Sequence, residues 1–148
     1  MDTVNSDRIT RTCLMANVAL LMAKRSTCRR ASVGCVITRD NRIIATGYNG
    51  PERGEPHCSD EFCDIKKPCI RSVHAEKNAI RFADSNGISL LGTRLYTTHE
   101  PCVECSNLII GSGISSVLFI YPYRNSGYKL LRKAWITSER YNEEVYVK

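Results

Sequence analysis

From His74 to the end of the chain, helical and extended patterning alternate three times, and no other feature of the sequence restricts the fold as strongly. Ala75, Ala79 and Phe82 recur on one face at helical spacing until Asn86-Gly87 stops the pattern, and "TRLYTTHE" follows as a short strand. Pro101 suits a first helical position, "CVECSNLIIGSG" runs to a glycine terminator at Gly111 or Gly113, and "SSVLFIYPY" is apolar enough for burial on both faces. Leu130, Leu131, Ala134 and Trp135 then stand in helical register within residues 126–140, ahead of a closing strand in "EVYVK". Strands joined through helices run parallel, because a right-handed crossover brings the chain back in its original direction.

The first half adds a helix and a hairpin. Ile9, Cys13, Ala16, Leu20 and Ala23 line one side of residues 6–25, widened by Met15, Val18 and Met22, with Ser6 or Asp7 as the cap. Val33, Cys35 and Ile37, then Ile43 and Ala45, flank a polar break at Asp40-Asn41, which reads as two strands around a tight turn. Residues 49–73 are rich in Gly, Pro, charge and Cys and carry no apolar period; a loop so long is functional or held by something. At 148 residues and 43% hydrophobic, the chain suits one domain spanning 1–148, an α/β fold of three α/β/α layers around a five-stranded mixed sheet. In such sheets ligands gather at the carboxyl ends of strands, where helices begin.

Two helix starts carry the chemistry. His74-Ala75-Glu76 opens one helix, and Pro101-Cys102-Val103-Glu104-Cys105 opens the next, with one strand between them. Cysteines three apart at a helix N-terminus project toward one point, and the helix dipole favours their thiolates. One imidazole and two thiolates suit Zn²⁺ held tetrahedrally with its fourth place open, the arrangement of a catalytic site. Glu76 lies two residues past His74 and is placed to carry a proton beside that open position. Alone, C-x-x-C also serves redox chemistry and H-x-E occurs by chance. The redox use needs the motif after the first strand of a different order, whereas here it follows the third.

H-x-E followed by P-C-x-x-C is the pattern of zinc nucleobase deaminases. Together with "VGCVITRDNRIIATGYNG" and "CIRSVHAEKNAI", it makes residues 28–123 resemble the deoxycytidylate deaminases, including those of phages and the related late-competence proteins of bacteria. The resemblance implies the cytidine deaminase-like fold and hydrolysis of dCMP to dUMP and ammonia, which feeds thymidylate synthesis; dCTP is a further candidate substrate. It assigns the catalytic zinc to His74, Cys102 and Cys105, and proton transfer to Glu76. Asn49 carries over as a sugar contact, although Asn-Gly is also a common turn pair. Arg30 and Ser32 carry over as phosphate contacts, with Arg29 close by. Exposed arginines are also ordinary surface, and some phage members carry lysine where Ser32 stands. Ala75 and Tyr123 complete the candidate substrate contacts; Tyr121 and Tyr123 serve equally as apolar packing. Cys35 replaces the alanine usual after V-G. His99 and Glu100 are expected at the pocket mouth.

Related deaminases hold a second, structural zinc in this region, for which Cys28, His57, Cys58, Cys63 and Cys69 are the available ligands; free thiols or a disulfide are the alternatives. Cys13 reads as a small core residue. The resemblance further implies a homo-oligomer, often a hexamer, activated by dCTP and inhibited by dTTP. No apolar run reaches the roughly 20 residues of a membrane span, and the polar N-terminus is unlike a secretory signal, so a soluble cytoplasmic protein is expected, in the host cytoplasm if the chain is viral. The net charge of +6 is concentrated at the ends: six Arg/Lys against two Asp in residues 1–35, and six against three Glu in residues 121–148. Basic ends leave two competing readings, a deaminase of bases within RNA or single-stranded DNA and a non-catalytic zinc-stabilised component of DNA uptake. The long cysteine loop and G-Y-N-G favour a free nucleotide over nucleic acid, and Glu76 argues against a structural role.

Overall fold

The computed structural model describes residues 7–59, 61, 63, 66, 69 and 71–148. Its elements run α1 (Arg11–Ala23), β1 (Gly34–Arg39), β2 (Arg42–Tyr48), β3 (Gly50–Pro51), β4 (Ser72–Val73), α2 (Ala75–Ser85), β5 (Arg94–His99), α3 (Val103–Ser112), β6 (Ser116–Tyr121), α4 (Tyr128–Lys133) and β7 (Thr137–Arg140). Five strands form one mixed sheet in the order β2-β1-β5-β6-β7, and β3 and β4 form a small separate ribbon. The pairs β5–β6 and β6–β7 are parallel, as the helical crossovers require, and the β1–β2 hairpin lies antiparallel at one edge.

Alternation along the strands divides the core in two. Cys35, Ile37, Leu95 and Val117 point to one face, where they meet Ala75, Ala79 and Ile80 of α2, Ile109 of α3 and Leu131 of α4. Val36, Tyr96, Leu118 and Ile120 point to the other and meet Cys13, Met15, Ala16, Ala19 and Leu20 of α1. Two glycines allow the helices to sit this close. A Cβ on Gly34 would come within 2.2 Å of the Ala19 carbonyl oxygen in α1. One on Gly47 would meet the Ala75 carbonyl oxygen of α2 at the same 2.2 Å, so the bare backbone of β2 sets the height of the helix that begins with His74. The Asp40-Asn41 turn has both residues at positive φ, 50° and 63°, matching the twist of a two-residue hairpin.

Several expectations are corrected. Helix α1 starts at Arg11 because the Thr10 side chain accepts the Cys13 N–H at 3.0 Å; Asp7 precedes that cap, Ile9 is exposed, and Ser6 lies outside the described residues. On α2, Phe82 is exposed, and Glu76, Ile80 and Ala83 complete the buried face. Pro101 lies before the helix rather than in it: Cys102 is the cap of α3, and Gly113, at φ 79°, is the terminator while Gly111 stays helical. The expected helix over 126–140 is only α4. Trp135 adopts φ 61°, its N–H bonds the Arg132 carbonyl, and the Ile136 N–H bonds that of Leu131, which is a Schellman ending built on tryptophan. That ending turns the chain into β7, so the fifth strand is Thr137–Arg140 and "EVYVK" is not a strand.

The last residues instead run along α1. Asn17, buried in that helix, donates to the Glu144 carbonyl at 3.1 Å and accepts the Tyr146 N–H at 2.7 Å. Its amide thereby supplies the bonds a neighbouring strand would have supplied.

Candidate active site

Two helix N-termini meet at the carboxyl end of β5. His74 caps α2 in extended conformation, and Cys102 caps α3, its sulfur accepting the Cys105 N–H at 3.4 Å. The His74 Nδ1 lies 3.5 Å from Cys102 Sγ and 3.3 Å from Cys105 Sγ, and the three atoms fall within 4.8 Å of one another. Ligand bonds of about 2.0–2.3 Å at tetrahedral angles put nitrogen and sulfur about 3.5 Å apart, so the trio has the size of a zinc site. Cys105 is buried, Cys102 half-buried and His74 open to solvent, which leaves the free side of the trio facing outward.

The electrostatics fit a cation as well. Cys102 titrates at about 4, because the Cys105 thiol donates to it and His74 and the Cys105 N–H add further hydrogen bonds. That thiolate, with burial, holds the second proton on Cys105. The hydrogen bond to Cys102 also raises His74. A divalent cation held by His74, Cys102 and Cys105 would offset that negative charge and favour the thiolate form of both sulfurs.

Glu76 sits in the first turn of α2, 4% exposed, with Oε1 3.0 Å from the Thr97 hydroxyl of β5. Burial pushes its carboxyl up, while hydrogen bonds from its own N–H, Thr97 and Cys105 work the other way, a setting suited to a group that takes and returns a proton. A cavity of about 550 Å³ opens over these groups. His74, Ala75, Glu76, His99, Glu100 and Cys102 form its floor and mouth, and Arg30, Asn49 and Tyr123 line it as expected. Ser32 is exposed and does not line it.

Asn49 has a structural duty besides. It is 6% exposed, its Oδ1 accepts the Val33 N–H at 2.9 Å and its Nδ2 donates to the Ala31 carbonyl at 2.8 Å, so it fixes the loop that carries Arg30. At the other wall, the Thr98 hydroxyl accepts the Gly34 N–H at 3.1 Å and lies 2.8 Å from His99 Nδ1. With the Thr98 hydroxyl as the donor of that contact, Nδ1 accepts and the ring proton stands on Nε2; with Nδ1 as the donor, the hydroxyl accepts from both.

Among the described residues, the trio is the one group of three or more potential ligands within metal-binding distance. The candidates for a second zinc form no comparable cluster: Cys28, Cys58, Cys63 and Cys69 are not in disulfides, and His57 is exposed. Cys28 and Cys69 nonetheless line the cavity, and the Cys58 N–H bonds Thr27 Oγ1 at 3.3 Å, tying the insert to the loop that carries Cys28. Sequence reasoning missed Thr97. Its signal was the pair of threonines in "YTTH", two hydroxyls in a strand otherwise apolar or aromatic at its centre.

Comparison with known proteins accords with this geometry. The chain is 44% identical over 123 residues to ComE operon protein 2 of Bacillus subtilis, a match covering 81% of this chain and 65% of that protein. It is 39% identical over 118 residues to the deoxycytidylate deaminase of Mycobacterium phage D29, covering 71% and 88%. The crystal structure of dCMP deaminase from cyanophage S-TIM5 in complex with dCMP and dUMP superposes with a TM-score of 0.79 at 28% identity, over 85% of this chain and 93% of that one. Residues 10–121 match the model of the cytidine and deoxycytidylate deaminase zinc-binding region, and the chain belongs to that family.

Proposed function

We propose that this protein hydrolyses dCMP to dUMP and ammonia, with Glu76 as the proton carrier and His74, Cys102 and Cys105 as the ligands of a catalytic zinc. The observation that carries the reading is a buried carboxylate two residues from the imidazole of a His/Cys/Cys trio, with Glu76, His74 and Cys102 lining one cavity and Cys105 buried behind them. Bound there, Zn²⁺ supplies Lewis-acid activation of water near neutral pH. Glu76 accepts a proton from the attacking water, gives one to N3 of the cytosine ring, and then passes a proton to the amino group leaving C4. One carboxyl serves addition and elimination in turn, so water and dCMP become dUMP and ammonia without a second acid. Arg30 supplies positive charge for the phosphate, Asn49 holds the loop of Arg30 and faces the sugar, and Ala75 and Tyr123 flank the base. The S-TIM5 enzyme, captured with dCMP and dUMP, and the D29 enzyme named for the same substrate support dCMP as the first choice.

The proposal extends to dCTP as a second substrate, to dCTP and dTTP as opposing effectors, and to a cytoplasmic location. Among the described residues no helix is long and apolar enough to cross a membrane. A homo-oligomer, a hexamer by family resemblance, is supported by α1, which leaves Leu14 and Leu21 exposed on the side away from the sheet. A second, structural zinc held by Cys28 with ligands from His57, Cys58, Cys63 and Cys69 is part of the same reading. It is supported by the ties between insert and cavity wall, and its test is a zinc content of two per chain.

The deciding experiment is ammonia release from the zinc-loaded protein over dCMP, dCTP, CMP and CTP, with and without the two effectors, beside cytosine-containing RNA and single-stranded DNA. Release from dCMP above all others is expected. Zinc-loaded protein that releases ammonia only from a polynucleotide, or from nothing, would overturn the reading.

A further inference from the structure

Thr97 is 1% exposed, in a strand where valine would pack as well and need no partner. Its hydroxyl oxygen lies 3.0 Å from Glu76 Oε1 and 3.0 Å from the His99 carbonyl oxygen. Both neighbours accept, and the hydroxyl has one proton to give. An ionised carboxylate is the stronger acceptor, so the proton goes to Oε1 while Glu76 is charged. When Glu76 carries the proton taken from water on its other oxygen, Oε1 is the carbonyl oxygen of the acid and still accepts from the same hydroxyl, less strongly than the anion did. The hydroxyl keeps its own proton throughout, no heavy atom moves, and neither form of Glu76 is left buried without a partner.

We propose that Thr97 is a positioning residue for Glu76: its hydroxyl, donating to Oε1 at 3.0 Å, holds that oxygen in place through both halves of the proton transfer and leaves the other oxygen to the substrate. This rests on the role of Glu76 in the proposed function. A methyl in place of the hydroxyl preserves shape and removes the bond, so Thr97→Val, with Thr97→Ser as its control, isolates the effect.

In the zinc-loaded protein, Thr97→Val is expected to keep zinc content and KM for dCMP within about twofold and to lower kcat by roughly 10- to 100-fold, part of what a positioned acid/base contributes. Thr97→Ser is expected to recover kcat to within about threefold, because the hydroxyl survives. A readout independent of turnover is a double-mutant cycle on unfolding, in which Thr97→Val and Glu76→Gln together cost less than the sum of the two. Wild-type kcat in Thr97→Val, failure of Thr97→Ser to recover it, or strict additivity in the cycle each overturns the proposal. If Thr97→Val does not fold, Thr97→Ala against Thr97→Ser makes the same comparison with the same expected and overturning results. Absence of turnover in the wild type would instead remove the proposed function, while the unfolding cycle would still judge the Thr97–Glu76 contact.

Discussion

At the level of single side chains, the proposed roles divide between holding a metal and moving a proton. His74, Cys102 and Cys105 form the trio, whereas Glu76 lines the cavity beside Cys105 and is held by Thr97 of β5. Glu76→Gln is therefore expected to retain one zinc at the trio and lose turnover by about 10³-fold. Cys102→Ala is expected to lose both; metal analysis beside an ammonia assay reads the difference, and near-normal turnover in the Gln variant would refute the role of Glu76. His99 makes a separate prediction. Burial lowers its pKa, so the folded ring resists a proton that the unfolded chain accepts below about pH 6.5. Its contribution to stability is full above that pH and is lost as pH falls through the folded value. Denaturant titrations at several pH values on zinc-loaded protein should show this fall, reduced in His99→Gln. Nitrogen NMR should find the ring protonated at Nε2, the tautomer that gives the Thr98 proton an acceptor in Nδ1, and a proton on Nδ1 would make Thr98 the acceptor of both contacts.

At the level of elements, Trp135 is the strained point. It caps α4 at φ 61° with its ring 93% exposed, so the left-handed backbone is not repaid by packing of the side chain. Trp135→Gly should stabilise the fold by about 1 kcal/mol, seen as a higher denaturant midpoint with unchanged slope. The same residue explains where sequence reasoning failed. Leu130, Leu131, Ala134 and Trp135 keep helical register, but the terminator is a tryptophan where glycine is usual, so the short α4 and the strand after it were hidden in one apparent helix. Where turn chemistry followed common rules, at Asp40-Asn41 and at Gly113, element ends were legible. The trio and Glu76 were legible because their spacing is local to two helix starts. Thr97 was not, because its partner is 21 residues away and only pairing of α2 against β5 brings them together. The insert was illegible for another reason: with no apolar period, nothing in the residues says what it packs on.

At the level of the whole molecule, the sheet has two covers of different construction. The site-bearing cover is made of α2, α3 and α4, and the other of α1 reinforced by the C-terminal residues, where Tyr141 and Val147 join its apolar cluster. Asn17 binds that second cover together, and Asn17→Ala, which leaves the Tyr146 N–H without its partner and removes one of the donors to the Glu144 carbonyl, should cost about 1–3 kcal/mol in unfolding experiments. A terminus ordinarily frays, and its amides exchange with solvent in the time of mixing. Here Asn17 makes the tail answer to the interior: deuterium should enter at Tyr146, whose N–H it accepts, as slowly as in the middle of α1, and clipping the chain before Glu144 should quicken exchange throughout that helix.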